Sequence, residues 1–125
     1  MRFMMFIKHP KDYGDLQVPE ALYGAMGAFI EEHAKKGQFI DGAGLLPLAK
    51  GTRVRLSKGK ITVVDGPFAE AKEVVGGYGI IEAASHAEAV ELATKFMQVH
   101  LDHWPEFEGE SEVRPFELME GPPPG

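Results

Sequence analysis

Two stretches of this chain, Arg2–Lys8 and Val74–Glu82, are apolar at both odd and even positions. In the first, Phe3, Met5 and Ile7 alternate with Met4 and Phe6. Side chains along a β-strand point to opposite faces in turn, so such strands need cover on both sides. The rest of the sequence offers only two amphipathic helical patterns. Two helices cover one face of a sheet, and the other face is left over. A second copy of the chain, sheet against sheet, is the simplest cover, and a homodimer is expected.

The first helix follows a turn-rich loop from His9 to Pro19, with Pro19 near its first turn, where a missing N–H costs nothing. Leu22, Met26, Phe29, Ile30 and His33 form its apolar stripe, and Gly37 is its natural stop. Gly24 and Gly27 each cost roughly 1 kcal/mol relative to Ala in a helix, which suggests close approach to a neighbouring element. Gln38–Leu48 reads as a short strand and a bend. Thr52–Leu56 alternates, with Val54 and Leu56 expected inward and Arg53 and Arg55 outward. The turn Ser57–Lys60 joins it to Ile61–Val64 as a hairpin. Asp65-Gly66-Pro67-Phe68 reads as a break before the second two-faced strand. Ser85 and Glu88 form a capping box for the second helix, whose stripe is Ala89, Leu92, Ala93, Phe96 and His100. Trp104-Pro105 should end it. Glu110–Leu118 is a final strand, and Pro115 places it at an edge or a bulge. The order predicts an α+β fold, a ferredoxin-like βαββαβ sandwich with an extra hairpin and both helices on one sheet face.

Composition narrows the chemistry. With 125 residues, 44% hydrophobic and 26% charged, one domain with a sizeable core is expected. The absence of cysteine excludes disulfides, thiol catalysis and thiolate metal sites. The serines, Ser57, Ser85 and Ser111, lie in no nucleophile motif. A net charge of −6 argues against nucleic acid and anionic membrane as partners. The five-residue apolar run near the start is too short for a signal core or a membrane span, so a cytoplasmic protein is the default expectation. Gly121–Gly125 reads as an extended tail, leaving residues 1–119 as the domain and 120–125 outside it.

Chemistry must then rest on carboxylates, histidines and a lysine. Asp65–Glu73 gathers ionisable groups around a rigid turn, where Asp65 or Glu70 could serve as a general base and Lys72 could hold an anion. The alternative is that Asp65 satisfies its own turn and Glu70–Lys72–Glu73 is a solvated face. His100 and His103, at i and i+3, share a helix face but lack a metalloprotease spacing, so packing of His100 is the stronger reading than metal binding. Tyr78, His103 and Arg114 complete the candidate ligand contacts, with His100 as a catalytic candidate beside Asp65 and Glu70. Gly76, Gly77 and Gly79 do not form a phosphate loop and mark close backbone contact within a strand. No cofactor or metal set is read from these residues.

Several of these segments together resemble a known family. Val54-Arg55, Asp65-Gly66-Pro67-Phe68-Ala69-Glu70-Ala71-Lys72-Glu73, Gly76-Gly77-Tyr78, Ser85 with Glu88-Ala89, and Glu112-Val113-Arg114-Pro115 look like the DGPF-domain proteins of the YCII-related group. The resemblance runs from about Arg2 to Phe116. It implies a ferredoxin-like fold that dimerises into an α+β barrel. Some relatives use a His–Asp pair in a cleft for dehydrochlorination-type chemistry on a small aromatic or lactone-like substrate. This chain has Ala25, Met26 and Gly27 where that histidine would fall, and Asp102-His103-Trp104-Pro105 in place of the later Asp-Pro-aromatic motif. The dyad is therefore not carried over. The resemblance also implies a sigma factor of the extracytoplasmic-function type as a candidate partner. The expectation is a small-molecule-binding or regulatory homodimer, the alternative an enzyme using carboxylate and histidine acid–base catalysis.

Overall fold

The computed structural model describes residues 1–10, 18–68 and 73–117. Six strands and two helices follow one another as β1 (Arg2–His9), α1 (Glu20–Lys35), β2 (Phe39–Gly44), β3 (Thr52–Ser57), β4 (Lys60–Asp65), β5 (Val74–Glu82), α2 (His86–His103) and β6 (Glu110–Pro115), with a short 3-10 turn at Leu48–Lys50. A four-stranded sheet has the order β2-β5-β1-β6, antiparallel throughout, and β3–β4 form a separate two-stranded sheet. With the hairpin set aside, this is an α+β arrangement compatible with the ferredoxin-like fold.

The two-faced strands lie at the centre of the sheet, as their composition requires. Phe3 and Met5 are buried on the helix side and pack with Ile81, Ala83, Ala89, Leu92, Ala93 and Phe96. Met26 and Phe29 of α1 close the second of these clusters. Burial of this kind is the dominant stabilising term in such a fold. The opposite face carries Met4, Phe6, Tyr78 and Ile80, all half-buried. β6 is an edge strand, and Pro115 lies at its end opposite Phe3.

Local signals govern the helix ends. Gly37 adopts φ +72°, and the chain closes with Gly37 N–H to Ala34 O at 3.0 Å and Gln38 N–H to His33 O at 2.9 Å. That pair is a Schellman stop, which needs a left-handed residue where glycine is unstrained. At α2, Ser85 Oγ accepts from Glu88 N–H at 3.1 Å, while the Glu88 carboxylate reaches back to Ala84 N–H at 3.2 Å.

Two packing expectations are corrected. Gly24 and Gly27 do not meet a neighbouring element, since a Cβ at either position would find nothing within 4 Å. Val54 and Leu56 are not turned inward but are exposed on the β3–β4 hairpin. Strand alternation identified a face correctly but not whether the chain itself covers it. The glycines of β5 follow the expectation. A Cβ at Gly76 would lie 2.6 Å from His9 Nε2, and one at Gly77 would lie 3.0 Å from Ala43 O. The final strand stops at Pro115, and Leu118 lies outside the described residues. No helix is long and apolar enough to cross a membrane among the described residues.

Candidate functional site: an aromatic cleft between α1 and the sheet

A cleft of about 1080 Å³ opens between α1 and the helix-facing side of the sheet. Met5, Ile7 and His9 form its floor because they occupy alternate positions of β1, in phase with the buried Phe3. Tyr23, Gly27 and Ile30 line it from α1, where their i, i+4, i+7 spacing places them on one stripe. Leu45, Leu46 and Pro47 form the rim beyond β2. Phe96 and His100 of α2, with Trp104 and Phe107 just after it, make the far end.

That far end is a connected set of rings. Phe29 lies 5.2 Å from Phe96, Phe96 lies 5.1 Å from His100, and His100 lies 5.1 Å from Phe107, measured between centroids. Phe107 in turn stands 5.4 Å from Trp104 and 6.3 Å from His9. Tilted and edge-on arrangements at these separations are the favourable ones for aromatic pairs. The His9 ring fits over β5 only because Gly76 has no side chain.

His100 is buried and donates from Nδ1 to Phe96 O at 2.9 Å. A carbonyl can only accept, so the neutral ring carries its proton on Nδ1 and keeps Nε2 as the basic nitrogen. Burial pushes its pKa below the ordinary imidazole value, with the Phe96 carbonyl opposing this more weakly. Such a group binds fewer protons folded than unfolded. Folding stability should therefore fall as pH drops through the unfolded value near 6.5 towards the lower folded value. His100→Phe, which keeps a ring between Phe96 and Phe107, is expected to lose less stability than the parent between about pH 7.5 and about pH 5. Denaturant titrations across that range test it, and parallel curves for the two proteins would refute it.

The other sequence-derived candidates disperse. Asp65 ends β4 opposite Thr52 and is exposed, its Oδ1 accepting from Thr52 Oγ1 at 2.9 Å. It is paired at the base of the hairpin and does not line the cleft. Glu70 and Lys72 lie outside the described residues. His103 is exposed and donates from Nδ1 to Val99 O at 3.0 Å. Tyr78 does line the cleft, between Gly77 and Gly79. Its register opposite Phe6 places its side chain on the other sheet face, so it contributes backbone to the cleft. Arg114 stands on that other face, paired with Glu112 and 5.8 Å from the Phe6 ring. Glu112 also accepts from Lys8 at 2.6 Å, and Glu73 lies 3.5 Å from the same ammonium. The hydrogen bonds from Lys8 and Arg114 hold the Glu112 carboxyl below its usual range, and the bond to Glu112 raises Lys8.

Among the described residues, His100 is thus the one proposed catalytic candidate that reaches the cleft. Sequence reasoning missed His9, Tyr23 and Phe107. His9 could have been found by extending the first strand one residue, which puts it in phase with Phe3, Met5 and Ile7. Among the described residues, no group of three or more His, Asp or Glu side chains is placed to hold a metal ion.

The chain is 32% identical over 93 residues to an uncharacterized protein of Rhizobium meliloti (strain 1021), a match spanning 74% of this chain and 71% of that protein. Residues 1–108 match the family described as the YCII-related domain, and the chain belongs to that family.

Proposed function

We propose that this protein is a homodimer that binds a small, neutral, largely aromatic molecule in the cleft between α1 and the sheet. The cleft itself carries the reading. At about 1080 Å³ it lies just above the usual size range of small-molecule sites, and it is walled by aliphatic and aromatic side chains with a few polar groups at one end. Glu20 is the only full formal charge among its described lining residues, and no Lys or Arg lines it. An anionic ligand would lose hydration there without a counter-charge, whereas a neutral ring with a hydroxyl could donate to a neutral imidazole. The half-buried apolar row on the other sheet face supports the dimer, and the ferredoxin-like arrangement is consistent with a dimeric α+β barrel.

Of the catalytic candidates read from the sequence, His100 is the one among the described residues that lines the cleft, and the enzyme reading rests on it. An imidazole kept neutral by burial is a competent proton acceptor. Met26 and Gly27, at the positions where the resemblance puts the relatives' histidine, give the cleft no titratable group there. Binding is therefore preferred over turnover.

Trp104 is the only tryptophan of the chain and lines the cleft, so it reports occupancy directly. Titration with 1-naphthol, a neutral bicyclic phenol, is expected to change Trp104 fluorescence saturably at one molecule per chain. Absence of saturable binding by this probe and by unsubstituted naphthalene would sink the proposal.

A further inference from the structure

The far end of the cleft holds an acceptor that the fold leaves open. Nδ1 of His100 donates to Phe96 O at 2.9 Å, in the preceding turn of its own helix, so the bond forms wherever α2 forms. The ring packs against Phe96 and Phe107, its centroid 5.1 Å from each. The residue is 6% exposed and lines the cleft. Nε2, the outer nitrogen of the ring, has no hydrogen-bond partner among the described residues. It is not sealed in, because the fully enclosed side-chain atom without a partner among those residues is Ser111 Oγ. Nε2 therefore presents its lone pair to the cleft.

The other polar side chains of the cleft are placed differently. Glu20 and Tyr23 stand at the start of α1 and are exposed. The indole of Trp104 can donate but not accept. The His9 ring is pressed onto the Gly76 backbone, where a Cβ would lie 2.6 Å from Nε2, and it meets Phe107 edge-on at 6.3 Å. A ligand that fills the far end shields His100 Nε2 from water. If it brings no donor, a buried acceptor is left unpaired, which costs more than an average hydrogen bond gains. A hydroxyl on the ligand's ring supplies the donor. A carbonyl or ether oxygen supplies a second lone pair, which repels the first.

We infer that His100 is the specificity-determining residue of the cleft: its Nε2 accepts a hydrogen bond from the hydroxyl of a phenol-class ligand and turns away rings whose oxygen is a carbonyl or an ether. Burial keeps the imidazole uncharged at neutral pH, which leaves the lone pair free. A phenol, with a pKa of about 10, keeps its proton beside such a base, so no charge is buried. Sites that hydrogen-bond a ligand hydroxyl discriminate strongly against analogues that lack it. The inference rests on the ligand-binding cleft proposed above and names the group that its ligand carries.

The pair 1-naphthol and 1-fluoronaphthalene tests it, because fluorine is close to hydroxyl in size and has no proton to donate. Followed by Trp104 fluorescence, the parent should bind 1-naphthol at least tenfold more tightly than 1-fluoronaphthalene. His100→Phe keeps a ring in place. It should bring 1-naphthol down to the affinity of 1-fluoronaphthalene and leave the latter nearly unchanged. A long-range proton–nitrogen correlation spectrum of the parent adds a readout that needs no variant. With 1-naphthol, the unprotonated Nε2 resonance of His100 should move towards its protonated position, while 1-fluoronaphthalene should leave it near its unbound place. Equal affinities in the parent overturn the selection and spare the cleft. A preference that survives His100→Phe, or an Nε2 resonance indifferent to 1-naphthol, means that another group reads the hydroxyl and overturns the assignment to His100. If neither compound binds saturably, the cleft reading falls and this inference falls with it.

Discussion

Replacing Phe3 by Ala is expected to cost about 3–5 kcal/mol of folding stability, the range for removing a large aromatic side chain from a packed core. Phe3 has no exposed surface and sits where β1 meets β5 and α2. Its buried neighbours are Ile81, Ala83, Ala89 and Leu92, with Phe39 and Val113 at the margin. Two of those neighbours are alanines, which have no side-chain freedom to move into the space. The sheet register fixes Ile81 directly opposite Phe3. The cavity should therefore persist instead of collapsing, placing the loss high in the range. Single domains of this size are stable by roughly 5–15 kcal/mol, so the variant keeps a fraction of its margin or unfolds. Guanidinium titration should show a lower midpoint with an unchanged slope. A loss below about 1 kcal/mol would mean that the helix layer does not close over this position.

Much of this core was legible because its signals are local. The two-faced composition of β1 and β5 announced central strands, Ser85 with Glu88 announced the start of α2, and Gly37 announced the end of α1. The hairpin was legible from alternation and its turn. What alternation could not provide was the destination of the ribbon's apolar face, since Val54 and Leu56 find no cover within the described chain. Asp65 followed by glycine read as a break, yet Asp65 is held within β4 by the Thr52 hydroxyl across the register. The cleft was the least legible feature. Its rings come from His9, Tyr23, His100 and Phe107, brought together only by tertiary structure. Gly27 was the least expected of its residues, because helix propensity makes an internal glycine look like a packing requirement when the space beside it is open.

That open space makes Gly27 the sharpest test of the cleft. Gly27→Phe should weaken 1-naphthol binding at least tenfold, about 1.4 kcal/mol, without loss of folding stability. A Cβ at this position meets nothing within 4 Å, and the side chain would emerge between Tyr23 and Ile30 on the stripe that faces the cleft. The ring would therefore occupy ligand space without displacing core. Phenylalanine is also a better helix former than glycine, and Ala is the best of the three, about 1 kcal/mol better than glycine, so stability should hold or rise. Gly27→Ala separates the two effects: it should gain stability and leave binding nearly unchanged. Gly24→Phe supplies the remaining comparison, since Gly24 is an equally open glycine of the same helix that does not line the cleft. It should bind 1-naphthol as the parent does. All these variants keep Trp104 as the sole tryptophan, so one fluorescence titration reads each of them. If Gly27→Phe binds as tightly as the parent, 1-naphthol is held elsewhere and the cleft is not its site. If Gly24→Phe is weakened equally, the effect is a general disturbance of α1, and the cleft assignment fails on that ground.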